Sequence, residues 1–559
     1  MYIRRISRKN TDGSVVSYLQ LAHNVRDREK GYTKAEVIYN FGREEDLDLV
    51  AIKRLVKSLC RFLSPEDALE ATAALAGSGG DGALRFLGSR PMGGAYLLRN
   101  LWERIGIGGV LEKLVADREF TSPVEWAVFA MVANRALAPY SKRGVAEWVG
   151  EDVALGNEEG IALQHLYRAM DVLLESDEMI QKEVFFSTAS LFNIEVDLLF
   201  FDTTSTYFER DEEDEEEDGF LKWGKSKDDR PDLPQIVIGL AVTKEGIPVR
   251  CWVLPGNTND STTVEMVQKD LAGWRLSRCV WVMDRGMASE ENRILLQRAG
   301  GHYILGEKIR DQQVANQAAL SRPGRYKTVR DNLQVKEIVI GDGERRRRFV
   351  LVHNPREAER DRQKREKTLG KINAELEALG DPTMRGHKKA VCALLSHKSF
   401  GRYLKEKENG KIAINADRVR AEERLDGKYL LSTSDDTLSP EDVALGYKQL
   451  MEVERAFRTL KTTLELRPVH HRRVDRIKSH VLLCWLALLL VRVAEKETGE
   501  TWDTIRKKME RMHLGEFLGK GGRVLQRTEL TQDQHNLLKK LKIPSPQLFK
   551  KIAATPEKP

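Results

Sequence analysis

Apolar and polar residues alternate along the first 48 residues of the chain. The stretches YIRRISR, SVVSYLQLAHNV and KAEVIYNFG place every second side chain on one face, and turn-forming residues lie between them. This period of two predicts a small antiparallel sheet. From about residue 49 to 195 the apolar residues recur every three or four positions, as in EWAVFAMVANRAL, which predicts a helical region.

Between residues 196 and 309 short apolar stretches alternate with helical ones. EVDLLFFD predicts a buried strand that ends at Asp202, and CVWVMD predicts one that ends at Asp284. QIVIGLAVT, IPVRCWVLPG and HYILGEKI predict further strands, and TVEMVQKDLAGW and ENRILLQRAG predict helices. The order is that of an α/β sheet, in which ligands usually bind at the carboxyl ends of the strands. Both aspartates are therefore candidate site residues.

The pattern changes again between residues 310 and 440. VKEIVIGDGERRRRFVLV predicts a hairpin, residues 356–378 a charged helix and GKYLLSTS a strand, so we expect a β-rich insertion domain here. Residues 441–466 predict one long helix that begins after Ser439 and ends before Pro468. The remainder, to Pro559, is predicted to be helical and basic.

Charge and cysteine content limit the possible partners. The formal net charge is +6, although eight consecutive acids, Asp211 to Asp218, offset a larger basic excess elsewhere. That excess favours a polyanionic partner. The five cysteines form no CxxC pair, which argues against a zinc knuckle or a disulfide framework. The longest apolar run, Val481 to Val491, is much shorter than the roughly 20 residues that cross a bilayer, so it predicts a buried core helix.

A third candidate acid, Glu454, lies at the border of the apolar face of the predicted 441–466 helix. Arg458 and Lys461 continue that border at i+4 and i+7, and Tyr447 begins it at i−7. Glu454 and Arg458 could instead form an ordinary surface ion pair. Each strand-end aspartate could also be a turn residue. The combination of two such aspartates and one helix-border glutamate favours a functional set.

These residues carry a resemblance to a known family. The strand and helix order, with an aspartate at the first and fourth strands, a long insertion and then a helix bearing a glutamate, resembles the RNase H-like core of DDE transposases. Tyr447, Leu450, Glu454 and Lys461 have the spacing of the tyrosine-arginine-glutamate-lysine signature of insertion sequence 4 type transposases, with Leu450 in place of the arginine. The stretch from Val453 to His480 is similar to that of the insertion sequence 1634 branch.

The resemblance implies a fold, a cofactor and a reaction. The fold is an α/β RNase H-like core, a mixed sheet with flanking helices, interrupted by a β-rich insertion domain and preceded by a small β region and a helical domain. Asp202, Asp284 and Glu454 would hold two Mg²⁺ ions, with Mn²⁺ as a substitute, because Mg²⁺ prefers carboxylate and water oxygens. The protein would then cut double-stranded DNA at insertion-sequence ends and join the ends to target DNA, as a homodimer or larger assembly in the bacterial cytoplasm.

The same resemblance divides the chain into six predicted segments. They are an N-terminal β-hairpin region (1–48), a helical DNA-end-binding domain (49–195), the first part of the core (196–309), the insertion domain (310–440), the second part of the core (441–495) and a C-terminal helical region with assembly contacts (496–559).

Several basic residues are candidates for DNA contacts. Arg458, Lys461 and Tyr447 would touch phosphate beside the cleaved bond, although Tyr447 could equally serve packing. Arg345, Arg346, Arg347 and Arg348 are predicted on an exposed strand, where a contact with the DNA backbone is favoured over plain solvation. Arg472 and Arg473 form a further basic cluster, whose histidines are expected to pack or to touch phosphate rather than to bind metal.

Two other functions are compatible with this sequence. The chain could be a catalytically inactive DNA-binding derivative, or an RNase H-like nuclease without strand transfer.

The acidic run from Asp211 to Asp218 has neither strand nor helix period, so it predicts a solvated loop. The other interpretation of this run is an electrostatic guard that competes with DNA for basic surface.

Overall fold

The computed structural model of the 559-residue chain describes residues 1–10, 15–26, 33–59, 85–116, 123–156, 160–194, 197–216, 219–274, 276, 279–298, 301–310, 313–343, 346–379, 386–407, 411–519 and 522–553. The chain forms two compact units. The smaller unit comprises residues 1–88, 516–525 and 551–559, and the larger comprises residues 89–515 and 526–550.

The N-terminal part of the smaller unit is a three-stranded antiparallel sheet followed by a helix. Strands β1 (Tyr2–Lys9), β2 (Val15–Arg26) and β3 (Thr33–Arg43) pair in chain order, and helix α1 covers Leu49–Leu59. The alternating pattern of the first 48 residues therefore predicted this sheet correctly.

The larger unit begins with helices around one apolar helix. The strand β4 is followed by six helices: β4 (Arg85–Pro91), α2 (Gly93–Ile105), α3 (Ile107–Val115), α4 (Val124–Leu137), α5 (Lys142–Glu151), α6 (Leu163–Glu175) and α7 (Asp177–Phe192). Helices α4 and α6 pack on a later helix, α16 (Val474–Thr498). Among the described residues α16 is the one helix long and apolar enough to cross a membrane, and its apolar part is largely buried within the protein. The prediction that Val481–Val491 forms a buried core helix is confirmed.

A nine-stranded mixed sheet forms the centre of the larger unit. Its strands are β5 (Leu198–Tyr207), β6 (Gln235–Thr243), β7 (Pro248–Pro255), β8 (Val280–Met283), β9 (His302–Glu307), β10 (Lys327–Arg330), β11 (Leu333–Ile340), β12 (Arg347–His353) and β15 (Lys428–Thr433). They lie in the order β10-β11-β12-β15-β9-β8-β5-β6-β7. Pairs β5–β8 and β8–β9 are parallel, and the remaining neighbours are antiparallel.

Helices cover both faces of this sheet. Helices α8 (Asp260–Ala272) and α9 (Glu290–Arg298) pack with Phe201 and other apolar side chains of one face. Because neighbouring residues of a strand point to opposite faces, Asp202 points away from α8. It points toward the cavity that helix α15 (Met451–Arg458) borders. A mixed sheet with flanking helices is thus present.

The strands of residues 310–440 belong to the same sheet rather than to a detached body. β12 pairs with β15, and β15 pairs with β9, so these strands extend the central sheet. Helix α10 (Val314–Ser321) packs on β11 and β12. Residues between β12 and β15 form a cluster of their own, around Ile372, Tyr403 and Leu404. Its elements are α11 (Pro355–Ala378), α12 (His387–Ser396), β13 (Leu404–Glu406), β14 (Ile412–Ile414) and α13 (Ala416–Glu423).

The predicted single helix over 441–466 is wrong. The chain forms α14 (Pro440–Lys448), a turn at Gln449 and Leu450, α15, and a π-helical turn over Thr459–Thr463. The apolar period continues through the turn because Leu450 is buried at 8% exposure, so the hydrophobic pattern alone did not reveal the break. The start after Ser439 is confirmed, since its side chain accepts a hydrogen bond from the Asp442 amide.

The C-terminal region is not purely helical, contrary to prediction. It contains α17 (Trp502–Glu510) and α18 (Gln532–Lys540), together with β16 (His513–Gly519), β17 (Gly522–Arg527) and β18 (Phe549–Ala553). These strands and β4 form a sheet of order β18-β17-β16-β4. The alternating residues of HLGEFLG and GRVLQR, on either side of a glycine-rich stretch, are the strand signal that the prediction missed.

A buried ion pair ties α9 to the central sheet and allows a stability test. The Glu307 carboxylate accepts two hydrogen bonds from Arg293, at 2.7 and 2.8 Å, and both side chains are almost fully buried. We expect Glu307→Ala to lower the free energy of unfolding by about 3–5 kcal/mol, because it removes the buried partner of a buried guanidinium and leaves it only the half-exposed Glu290. Urea denaturation followed by circular dichroism measures the loss.

The exposed pair of Glu265 and Lys269 provides the matched control. Glu265→Ala should cost less than about 1 kcal/mol, since exposed pairs contribute little. Equal effects of the two substitutions would contradict the importance of the buried pair.

Candidate active site

The parallel pairing of β5 and β8 brings two aspartates side by side. Phe201 pairs with Met283, so Asp202 and Asp284 are the next residues of the two neighbouring strands. Asp284 follows the end of β8, as predicted. Asp202 does not end its strand, because residues 203–207 continue to pair with β6. The predicted strand end at Asp202 is therefore wrong, although Asp202 still lies at the carboxyl edge of the parallel pair.

One cavity of about 620 Å³ is lined by all three predicted acids, Asp202, Asp284 and Glu454. The Asp202 side chain is 24% exposed, whereas Glu454 lies exposed on α15. The turn at Gln449 and Leu450 sets the direction of α15, and Leu450 also lines the cavity. Glu454 thus faces the same cavity as Asp202 and Asp284, although it is far from both in the chain.

The environment of Asp202 disfavours its charged form. Burial raises the pKa of Asp202 to about 6, and the carboxylates of Asp284 and Asp260 act in the same direction. Lys227 and the Thr203 amide oppose this shift. Like charges in a partly desolvated space repel one another, so the cavity favours the entry of a cation.

Lys227 brings a positive charge to this cluster. Its ammonium donates to the Thr203 carbonyl and hydroxyl oxygens at 2.8 and 2.6 Å. It lies 3.2 Å from Asp260 Oδ1 and 3.9 Å from Asp202 Oδ1. The Thr203 hydroxyl donates in turn to Asp260. Asp260, the first residue of α8, therefore holds the ammonium closer to itself than to Asp202.

The Tyr447 hydroxyl donates a hydrogen bond of 3.0 Å to Asp284 Oδ1. Burial and the adjacent Asp284 both raise the pKa of Tyr447, so the hydroxyl keeps its proton. Gly306 makes room for this ring, since a Cβ at that position would lie 2.3 Å from the hydroxyl oxygen. In this arrangement the hydroxyl orients Asp284.

Lys461 and Arg458 lie outside the residues that line this cavity. The Lys461 ammonium pairs with Asp228 at 2.8 Å, and Arg467 pairs with the other oxygen of Asp228 at 3.0 Å. Burial lowers the pKa of Lys461, while Asp228 raises it. Arg458, by contrast, is exposed.

The arginine run after β11 does not lie on an exposed strand, so that prediction is wrong. β12 lies inside the sheet, between β11 and β15. Arg348 is buried and bonds to Glu337 and to the Asp435 carbonyl, and Arg347 pairs with Glu290. Arg346 is exposed and pairs with Asp436. Arg345 lies outside the described residues.

Arg472 and Arg473 are both exposed, but their surroundings differ. Arg473 pairs with Asp475 at 3.0 Å. Arg472 lines a second cavity of about 830 Å³, together with His470 and His471. His480 is buried, and its ring lies 5.6 Å from that of His471.

The donor chemistry of the first cavity fits a divalent metal ion. Five acidic residues line it, the three candidate acids together with Glu307 and Asp361, and carboxylate oxygens suit Mg²⁺. Within the described residues no three His, Cys, Asp or Glu side chains converge closely enough to form a complete ligand set. Asp202 and Asp284 are instead engaged by donors of the protein, Lys227 and Tyr447.

Sequence reasoning missed the residues that support the acids. Asp260, Lys227 and Asp228 are not among the candidate site residues predicted from the sequence. No periodic pattern marks such positions, because Lys227 and Asp228 lie in the loop between β5 and β6 and Asp260 lies at the start of α8. A lysine next to paired acids, shortly after a strand-borne aspartate, is the signal that was available.

The chain matches two known protein families. The family described as "Transposase DDE domain" matches residues 197–490, and "IS1634 family transposase, N-terminal domain" matches residues 3–70. No curated protein sequence matches the chain. One similar solved structure is the cryo-EM structure of a piggyBac transposase synaptic complex with hairpin DNA, at 10% identity over 75% of this chain and 79% of that chain. Its TM-score is 0.34, a likeness too low to support any statement about the fold.

The position of Lys227 predicts opposite effects of two substitutions on metal affinity. Lys227→Gln should tighten Mn²⁺ or Mg²⁺ binding about tenfold, because it removes a cation that competes for Asp202. Asp260→Asn should weaken binding, because it releases the ammonium toward Asp202. Isothermal titration calorimetry measures both affinities.

The double variant Lys227→Gln/Asp260→Asn tests whether Asp260 acts through the lysine. If it does, Asp260→Asn has little further effect once Lys227 is gone. Independent, additive effects would contradict this coupling.

The raised pKa of Asp202 predicts how stability depends on pH. The folded protein binds this proton more tightly than the unfolded chain, so the contribution of Asp202 to stability falls as pH rises from about 4 to about 6. In EDTA at pH 7, Asp202→Asn should therefore stabilise the protein by an amount on the order of 3 kcal/mol. Urea denaturation at pH 4 and pH 7 measures the difference, and a gain of the same size at both values would contradict the shift.

Proposed function

The chain belongs to the DDE transposases, in the IS1634 branch, and we propose that it cuts DNA at insertion-sequence ends and joins those ends to target DNA with divalent metal ions. The observation that carries this proposal is the parallel register of β5 and β8, which aligns Asp202 with Asp284. Glu454 lines the same cavity from α15.

The three carboxylates have distinct roles in the proposed reaction. Asp202 would help to hold both metal ions, and Asp284 and Glu454 would each help to hold one. When bound, a pair of divalent ions activates the attacking oxygen and stabilises the leaving oxygen of an in-line phosphoryl transfer. Tyr447 keeps the Asp284 carboxylate in one orientation through its hydrogen bond.

The proposed DNA contacts start from the catalytic helix. Arg458 is exposed one turn after Glu454 and is available to a phosphate. Arg346, beyond β11, would contact phosphate only after leaving Asp436. Lys461 would contact phosphate only after leaving Asp228, with which it now pairs. Residues 49–195 would bind the DNA end, and residues 496–559 would contribute to a dimer or larger assembly. The proposed location is the bacterial cytoplasm, at the nucleoid.

The substitutions Asp202→Asn, Asp284→Asn and Glu454→Gln test this function. Each should lower Mg²⁺-dependent cleavage of a labelled insertion-sequence end by at least about a thousandfold, because a metal ligand is lost. Binding of the same DNA in EDTA should stay within about twofold. Gel electrophoresis of the cleaved and joined products, beside an anisotropy measurement of binding, separates the two effects.

Glu452→Gln is the matched control for Glu454. Glu452 lies on the same helix, but it bonds to Arg492 and Arg455 instead of facing the cavity. The Glu452→Gln variant should cleave DNA like the wild type. Cleavage that survives Glu454→Gln would exclude this residue as the third acid. A wild-type protein that cleaves DNA without joining the ends would be a nuclease, and one that binds DNA without cleaving it would be an inactive derivative.

A further inference from the structure

Basic and aromatic residues make up most of the lining of the second cavity. Two chain segments form it, the end of β5 with the residues after it and the stretch that precedes α16. The basic residues that line it are Arg210, Arg467, His470, His471 and Arg472. Glu209 is the one acid that lines it. The cavity is separate from that of the three carboxylates, with which it shares no lining residue.

Two buried cations lie behind one wall of this cavity. Lys142 is 4% exposed and Arg135 is 6% exposed. Arg135 donates to the carbonyl oxygens of Glu465 and Tyr140, which leaves its charge without a carboxylate. Among the described residues neither cation has an acidic partner. Such an arrangement is costly, because buried charges are normally paired.

The field of these two cations reaches the cavity wall at His471. Burial, followed by the charges of Lys142, Arg476 and Arg135, lowers the pKa of His471 to about 4. Burial, followed by the charge of Arg135, lowers the pKa of Lys142 to about 7. Further positive charge is thus disfavoured at this wall, and an anion in the cavity would be favoured there.

The acidic segment after β5 is folded against the same cavity. Asp214 accepts hydrogen bonds from the amides of Phe220 and Leu221, at 3.0 and 2.9 Å, and pairs with Arg210 at 3.0 Å. Lys222 donates to the carbonyl oxygens of Asp214 and Glu216. The described part of the run, residues 211–216, is therefore a hydrogen-bonded loop between β5 and β6, and most of it is exposed, as predicted for a solvated loop. Glu217 and Asp218 lie outside the described residues.

We propose that the second cavity binds a phosphodiester group of the DNA strand, with Arg472 and Arg210 as its accessible cations and Lys142 and Arg135 as the buried source of positive potential. This inference depends on the proposed function in one respect, the identification of the bound anion as part of DNA. Asp214 holds Arg210 in the absence of DNA, so a phosphate that enters the cavity must compete with this carboxylate.

The two adjacent exposed arginines provide a matched test. Arg472 lines the cavity, whereas Arg473 lies outside it and pairs with Asp475. Fluorescence anisotropy in EDTA measures the binding of a labelled single strand and of a labelled duplex across a range of salt concentrations. Arg472→Gln should weaken binding about fivefold or more at 0.1 M salt. It should also make the plot of the logarithm of the binding constant against the logarithm of the salt concentration less steep. The slope should change by about 0.7 for a single strand or about 0.9 for a duplex, as expected for the loss of one phosphate contact.

Arg473→Gln should change the affinity and the slope by much less. Equal effects of the two arginine substitutions, or an unchanged slope with Arg472→Gln, would overturn the proposal. Comparison of the two probes shows whether the phosphate belongs to a single strand or to a duplex.

Two further variants test the buried cation and the competing carboxylate. Lys142→Met should weaken DNA binding, because it removes a source of positive potential. The melting temperature of this variant should stay at or above that of the wild type, because an unpaired buried charge is removed. Asp214→Asn should strengthen binding, because Arg210 is freed. An unchanged DNA affinity in both variants would contradict the proposed electrostatics. A wild-type protein that binds DNA in this way but never cleaves it would refute the proposed function and leave this inference intact.

Discussion

The parallel pairing of β5 with β8 is the constraint on which the site depends. Backbone hydrogen bonds between the parallel strands fix their register, and the match of Phe201 with Met283 places Asp202 next to Asp284. Pairing of β5 with β6 on its other edge holds the strand in that register beyond the aspartate. A slip of one residue would turn Asp202 to the face covered by α8 and remove it from the cavity.

Two carboxylates in a partly buried space need a balancing charge and hydrogen-bond donors, and the protein supplies them from different elements. Lys227 approaches from the loop between β5 and β6, and the Tyr447 hydroxyl donates a hydrogen bond from α14. Asp260 holds the lysine nearer to α8 than to Asp202. Near the second cavity the imbalance has the opposite sign, because the buried Lys142 and Arg135 lack acidic partners among the described residues.

The sequence predicted the parts of the fold that follow from periodicity. Strands β5 to β9 and the helices between them came from apolar runs and turn residues, because burial on a sheet selects such patterns directly. The break at Leu450 was not predictable, since a buried leucine fits the apolar stripe of one helix as well as the turn between two. The arginines of β12 were also misjudged. A run of arginines suggests an exposed strand, whereas β15 covers this edge and Arg348 finds partners in Glu337 and Asp435.

By itself, the sequence determined the candidate acids and the family to which the chain belongs. Asp202, Asp284 and Glu454 were identifiable because strand ends, helix borders and signature spacing are local features. Only the tertiary structure decided that these acids face one cavity, that Lys227 and Asp260 accompany them, and that Arg472 and Arg473 have different surroundings. The physical reason is that such relations depend on contacts between segments far apart in the chain. Register, loop path and burial set those contacts, and none of the three has a local period.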